Sequence, residues 1–258
     1  MTSVPDLPRW GIVLQAWRLL IEQSGRALRS AVLPFLLLMA LHRLGDIVAP
    51  EGFQLIGWGL LTVVLFPVPA ALLLVPWYRT ILSAKWPELA GRPAQWWYVS
   101  FMLRTLGLEL MLLVFQIPSA VAGVMAMEGG GAPDPQLTGL GSLLFLAALM
   151  PGFYLYGRAA LALPAAAGQG DDSYGRSWRT TAGAGWRIAG IVFLIWFPFF
   201  LLNGMVSVPA GASPGLLSAA TGAAIDIFRE LAMAAALALV YLHYGTGRET
   251  SVWPTASP

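Results

Sequence analysis

The sequence of 258 residues contains no cysteine, a single lysine and few charged side chains. Without cysteine, the protein has no disulfide, no thiol nucleophile and no thiolate-held metal or iron–sulfur site. Charged residues make up 11% of the chain, against about a quarter in an average soluble domain. Because 57% of the residues are hydrophobic and the mean hydropathy is +0.69, the composition excludes an ordinary soluble domain and indicates an integral membrane protein.

Long apolar runs are the main feature of the sequence. About 20 mostly apolar residues cross the roughly 30 Å hydrocarbon core of a bilayer, and the sequence predicts six such spans: 30–49, 53–79, 99–126, 138–163, 188–210 and 220–244. The 28 glycines and 19 prolines do not indicate disorder, because transmembrane helices tolerate both residue types. We expect kinks at Pro67 and Pro69, Pro118, Pro151 and Pro198, and a straighter sixth helix.

Basic residues are distributed unequally between the two ends of these spans. With six spans both termini lie on one side, and that side holds thirteen of the fifteen basic residues. The other side holds only Arg43 and Arg229. Since basic residues collect on the cytoplasmic side, we expect both termini in the cytoplasm and the protein in a bacterial cytoplasmic (inner) membrane. The first thirty residues are too charged for a cleavable signal, so we expect the first span to stay in the mature protein.

Three stretches on the predicted cytoplasmic side are amphipathic rather than spanning: about 8–27, 86–98 and 172–186. We interpret them as helices that lie in the membrane interface, with tryptophan at headgroup depth and basic residues suited to acidic lipid headgroups. The residues expected to contact lipid there are Trp17, Arg18, Arg26, Trp97, Trp178, Arg179 and Arg187.

The same stretches are evenly spaced, which suggests a threefold internal repeat of about 80 residues. Trp17 and Trp97 are 80 residues apart, and Trp97 and Trp178 are 81 apart. Each stretch leads into a pair of spans, giving units of roughly 8–82, 86–165 and 172–245 within one membrane domain, followed by a cytoplasmic tail at 246–258. The alternative is that any six-helix protein places tryptophan and arginine at its cytoplasmic boundaries at about this interval.

One local pattern resembles a known group. Ser-Trp-Arg-x7-Arg, from Ser177 to Arg187, runs directly into an apolar span that passes through Trp-Phe-Pro at 196–198. This pattern is similar to bacterial six-helix membrane proteins related to the membrane domain of glycerophosphodiester phosphodiesterases and to the YciC-like membrane proteins. The resemblance implies an all-helical architecture with six transmembrane helices, and it implies no activity.

Glu109 is the most informative single residue, because it falls near the middle of the third span. A lone carboxylate at that depth costs several kcal/mol unless it is protonated, paired or hydrated. Arg104 lies on a different face of the same helix, and Arg158 from the neighbouring span is a candidate partner. Glu109 is therefore either a structural tie or a carboxylate of a proton relay or substrate cavity.

A second group of charges lies in the outer third of the sixth span. Asp226, Arg229 and Glu230 are spaced i, i+3, i+4, and Arg43 and Asp46 lie at comparable depth on the first span. Pairing of Arg43 with Asp226 or Glu230, and of Arg229 with Asp46, would tie the first helix to the last. The alternative is an outer gate for an ion or substrate. His42 is also one turn from Asp46, and we interpret it as structural.

No catalytic constellation, metal site or cofactor motif is apparent, so the sequence favours a protein that is not an enzyme. We expect an accessory, assembly or lipid-interacting membrane protein, with membrane lipids or another membrane protein as partners and no nucleic acid. The alternative is a carrier or channel for a small solute or lipid that uses the intramembrane carboxylates. A carrier requires a hydrated cavity that reaches Glu109, whereas a scaffold packs this residue dry against a base.

Overall fold

A computed structural model describes residues 9–48, 60–91, 95–127, 135–168, 173–206 and 215–244. These residues form helices and short connecting turns and no strand, which confirms the prediction of an all-helical chain for this part of the protein. The helices are α1 (Arg9–Glu22), α2 (Ser24–Val48), α3 (Pro67–Leu82), α4 (Gln95–Met127), α5 (Pro135–Ala159), α6 (Ala162–Ala167), α7 (Tyr174–Thr180), α8 (Gly185–Val206) and α9 (Leu216–Tyr244). A 3₁₀ turn at Pro87–Gly91 lies between α3 and α4.

Within the described residues, five helical segments are long and apolar enough to cross a membrane: Ser24–Leu44, Leu60–Leu82, Trp97–Phe115, Gly139–Ala167 and Gly185–Asn203. They correspond to the first five predicted spans. The sixth predicted span corresponds to α9, which is equally long but carries three charged residues and is not one of the five. A membrane crossing by α9 stays a prediction.

α9 is the central helix of the described bundle. It contacts α1, α2, α3, α6 and α8, and around it α2, α3, α4, α5 and α8 each contact the next helix in that order. The second half of α9 is rich in alanine, and Ala232, Ala234–Ala236 and Ala238 are all buried. Small side chains let helices approach closely where lipid provides no hydrophobic driving force, which explains how one helix contacts so many others.

The prolines act in two ways. At the predicted kink at Pro67 the backbone stays helical: Phe66 has φ −56° and ψ −36°, and its carbonyl oxygen accepts from the N–H of Ala70. Pro67, at which α3 begins, lacks an N–H and so leaves one helical hydrogen bond unmade. By contrast Pro118, Pro151 and Pro198 lie inside α4, α5 and α8, which continue past them. The predicted fourth span ends in a short turn, because α5 stops at Ala159 and the short helix α6 follows.

The three predicted interfacial stretches have different structures. The first is α1, whose residues Ile12, Val13, Ala16 and Leu20 are buried against α8 and α9. The third contains α7 and ends in a turn where Gly183 has a φ of +82°. The second is not one helix, which corrects the prediction: Pro87 favours a 3₁₀ turn, and Trp97 lies in the first turn of α4. The predicted tail at 246–258 lies outside the described residues.

Gly185 at the start of α8 packs closely against side chains of α5. A Cβ atom at this position would lie 2.5 Å from Cε2 of Tyr154 and 2.7 Å from Cδ of Arg158. We therefore expect Gly185→Ala to lower the free energy of unfolding by about 1–3 kcal/mol through overpacking, although alanine is the better helix former. The measurement is unfolding in mixed detergent micelles, followed by circular dichroism.

Gly190 in the same helix provides the matched control. A Cβ atom there would come no closer than 3.7 Å to Arg9, so Gly190→Ala is expected to leave the free energy of unfolding unchanged or to raise it by up to about 1 kcal/mol. An equal response of the two variants would contradict the close packing at Gly185.

Candidate functional site

A cavity of about 250 Å³ lies between α4, α5, α8 and α9. We call it the central cavity. Its charged lining residues are Glu109 from α4 and Arg229 and Glu230 from α9. The structure therefore brings together in one place two features that the sequence left separate, the lone carboxylate of the third span and the charge cluster of the sixth.

The cluster on α9 is a chain of contacts that starts at α2. Nε2 of His42 lies 2.9 Å from Oδ2 of Asp226, and the guanidinium of Arg229 lies 2.9 Å from the other carboxylate oxygen of Asp226. Arg229 also donates to Oε1 of Glu230 at 3.1 Å. One cation thus bridges two carboxylates on its own helix, which places its charge at the wall of the central cavity.

Glu109 is different, because no described residue forms a hydrogen bond or an ion pair with its carboxylate. It is partly buried and interacts electrostatically with both Glu230 and Arg229 across the cavity. Tyr156, another polar lining residue, interacts electrostatically with the same charges. A carboxylate that faces a cavity instead of a protein donor is available to water or to a bound solute.

The wall that α5 and α8 contribute to the central cavity is rich in aromatic residues. Phe153 of α5 meets Trp196 of α8 edge to face, with ring centroids 5.3 Å apart, and Phe145 and Tyr156 also line the space. Phe200 stacks on Trp196 at 4.7 Å and on Phe145 at 6.3 Å. The rings hold one another in place, so this wall presents fixed π surfaces to the cavity.

Arg158 is not the partner of Glu109 that the sequence offered. It donates to Oγ1 of Thr181 at 3.1 Å and to the hydroxyl of Tyr154 at 3.1 Å, as well as to the carbonyl oxygen of Trp178. Its guanidinium also lies 4.1 Å from the centroid of the Trp178 ring. The contacts of Arg158 therefore organise the junction of α5, α7 and α8 outside the cavity.

Arg104 likewise points away from the cavity carboxylate. Its guanidinium lies 5.2 Å from the centroid of the Tyr174 ring, and the Tyr174 hydroxyl donates to the Arg104 carbonyl oxygen. α2 and α9 are in contact through His42 and Asp226. The pairings predicted for Arg43 and Asp46 stay predictions, since the side chain of Asp46 lies outside what the structure describes.

The predicted lipid-facing residues divide into two groups. Trp17 packs inward against Phe199 of α8, with ring centroids 5.6 Å apart, and Trp97 is buried beneath the guanidinium of Arg79 at 4.2 Å. In contrast Arg18, Arg26 and Arg179 are exposed, and Arg18 pairs with Glu22 one turn away at 2.7 Å. Tryptophan at these boundaries therefore serves helix packing as well as any contact with lipid.

Sequence reasoning missed two parts of the site. It assigned His42 to its own helix, although the histidine contacts Asp226 on α9. It also placed tryptophan at the membrane interface, whereas Trp196 lines the cavity together with Phe145 and Phe153. The available signal was the i, i+4 spacing of Ala148 and Gly152, because two small side chains one turn apart leave space beside a helix. No group of three or more residues able to hold a metal ion occurs among the described side chains.

Comparison of the chain with protein-family models, curated proteins and solved structures finds no match.

Proposed function

We propose that the chain is a six-span protein of a bacterial cytoplasmic membrane that carries a small solute through the central cavity. The observation that carries this proposal is the cavity at Glu109, lined by charged side chains as well as aromatic rings. A scaffold would pack Glu109 dry against a base, and in the described residues Glu109 has no such partner. Intramembrane ionisable residues beside a cavity mark solute or proton pathways in membrane proteins.

Equivalent contacts support the threefold repeat as part of this proposal. Arg79 at the end of α3 lies over Trp97 at 4.2 Å, and Arg158 at the end of α5 lies over Trp178 at 4.1 Å. Each arginine also donates to a backbone carbonyl oxygen in the stretch that follows it, at Leu89 and Trp178 respectively. In both units an arginine in the last turns of a helix thus lies over the tryptophan of the following stretch, and these two tryptophans are 81 residues apart, although the two carbonyl acceptors are not at equivalent positions.

The accessory or lipid-interacting function remains the second candidate, and one observation favours it. α1 exposes a strip of large apolar side chains, Trp10, Leu14 and Ile21, opposite the face that packs on the bundle. Such a strip suits lipid or another membrane protein. The two proposals differ in whether water and solute enter the central cavity.

The absence of cysteine makes a direct test available, since each engineered cysteine is the only one in the chain. Gly152→Cys places a thiol at the cavity, where a Cβ atom meets nothing closer than Leu112 at 3.7 Å. We expect water-soluble methanethiosulfonates to modify this thiol in vesicles of either orientation, because only a hydrated thiol ionises and reacts. Modification is measured by intact-protein mass spectrometry.

Two controls accompany the labelling. Ala235→Cys lies in the packed interior of α9 and Val114→Cys on an exposed apolar face of α4, and both are expected to stay unmodified under the same conditions. If Gly152→Cys is also unmodified from both sides while the protein remains monodisperse in detergent, the carrier proposal is wrong and the scaffold is favoured.

A further inference from the structure

We infer that the solute bound in the central cavity is a small organic cation with an apolar body, its positive charge held by Glu109. This inference rests on the proposed function and deepens it by naming the class of solute. It follows from three properties of the same cavity: the excess of carboxylates, the aromatic wall and the volume.

Carboxylates outnumber the bases at the site. Asp226 and Glu230 share the single guanidinium of Arg229, at 2.9 and 3.1 Å, and His42 contributes to Asp226 alone. Glu109 therefore faces the cavity without a hydrogen bond or ion pair of its own among the described residues. An anionic solute would add repulsion from Glu109 and Glu230, whereas a cation would compensate the carboxylate that lacks a partner.

The aromatic wall distinguishes an organic cation from a metal ion. A metal cation of the Mg²⁺ or Ca²⁺ type requires about six or more oxygen ligands, and the rings of Phe145, Phe153 and Trp196 offer no lone pairs. The same rings attract an ammonium group through their π faces and solvate its alkyl or aryl substituents. A carboxylate and aromatic rings that line the same cavity therefore match an amine or quaternary ammonium head attached to an apolar body.

The volume limits the size of the solute. Sites for drug-sized ligands have about 300–1,000 Å³, and the central cavity has about 250 Å³. A compact cation such as benzyltrimethylammonium is a suitable probe, and its neutral carbon isostere, neopentylbenzene, differs from it mainly in charge.

The first experiment compares two reagents on Gly152→Cys. The cationic trimethylammonioethyl methanethiosulfonate is expected to react at least tenfold faster than the anionic sulfonatoethyl reagent, after each rate is divided by its rate on a cysteine at the exposed position Gly25. Benzyltrimethylammonium is expected to slow the modification in a saturable manner, and neopentylbenzene is expected to leave the rate unchanged.

The second experiment assigns the selectivity to Glu109. Glu109→Gln in the Gly152→Cys background is expected to lower the ratio of the cationic to the anionic corrected rate at least tenfold. It is also expected to abolish the protection by benzyltrimethylammonium. Glu109→Asp is expected to retain both. Glu22→Gln, on the exposed face of α1, is the matched control and is expected to change neither.

The outcomes separate this inference from the proposed function. Modification by both reagents at similar corrected rates, or equal protection by the neutral isostere, would overturn the organic cation while leaving a hydrated cavity in place. A preference for the cation that survives Glu109→Gln would overturn the role of that carboxylate. Failure of both reagents to modify Gly152→Cys would instead remove the proposed function itself.

Discussion

Arg229→Gln is expected to lower the free energy of unfolding by about 3–5 kcal/mol, the usual cost of removing one partner from a buried charge cluster. Arg229 is the cation between Asp226 and Glu230, and its side chain is only 25% exposed. Its loss leaves two carboxylates one turn apart on α9, with no guanidinium between them. The measurement is unfolding in mixed detergent micelles, followed by circular dichroism.

A compensating variant tests the cause of this loss. Asp226→Asn combined with Arg229→Gln removes one of the stranded carboxylates, so the double variant is expected to recover part of the lost free energy. Arg18→Gln removes an arginine from the exposed pair with Glu22 on α1 and is expected to have little effect, because exposed ion pairs contribute little. A double variant no more stable than Arg229→Gln would show that uncompensated charge is not the reason.

Trp77→Ala is expected to lower the free energy of unfolding by a similar amount, about 3–5 kcal/mol. The Trp77 side chain of α3 is 1% exposed, and its Nε1–H donates to the carbonyl oxygen of Leu231 on α9 at 3.0 Å. Alanine leaves a void between these two helices and removes the hydrogen bond. The same detergent unfolding experiment measures the change.

Two further variants test the packing of Trp77. Trp77→Phe keeps a six-membered aromatic ring and loses the pyrrole ring with its N–H donor, so it is expected to cost less than Trp77→Ala, about 1–3 kcal/mol. Trp10→Ala removes an exposed tryptophan from α1 and is expected to leave stability nearly unchanged. Equal losses for Trp77→Ala and Trp10→Ala would mean that Trp77 does not join α3 to α9.

The positions of the long helices were predictable because apolar length alone identifies them. The predicted first span, 30–49, lies within α2 apart from its last residue, and the predicted third, 99–126, lies within α4. The boundaries shifted because a helix does not stop where hydrophobicity falls. α2 begins at Ser24, inside the predicted interfacial stretch. Its polar first turns form the same backbone hydrogen bonds as the apolar turns that follow them.

A local effect of proline on the helix at Pro67 was predictable, and the continuity of α4 through Pro118 was not. Proline removes one backbone hydrogen bond in either case, and neighbouring helices decide whether the helix continues. The second amphipathic stretch is not one helix for a local reason, because Pro87 and Gly91 favour a turn before α4 begins.

The candidate site was only half predictable. Glu109 and the α9 cluster were identified because charge within an apolar run is costly wherever the chain places it. Their meeting in one cavity depends on which faces of α4, α5, α8 and α9 oppose each other, and a single sequence does not contain that information. The partner of Asp226 was missed for the same reason, because His42 lies 184 positions away in the chain.

The central position of α9 has a consequence for biogenesis. Of the described helices, α9 leaves the ribosome last, yet it supplies the surface on which α1, α2, α3 and α8 converge. Until α9 is made, the preceding helices lack the neighbour that they contact in the finished bundle. We therefore expect the bundle to close only after the synthesis of α9, late in translation.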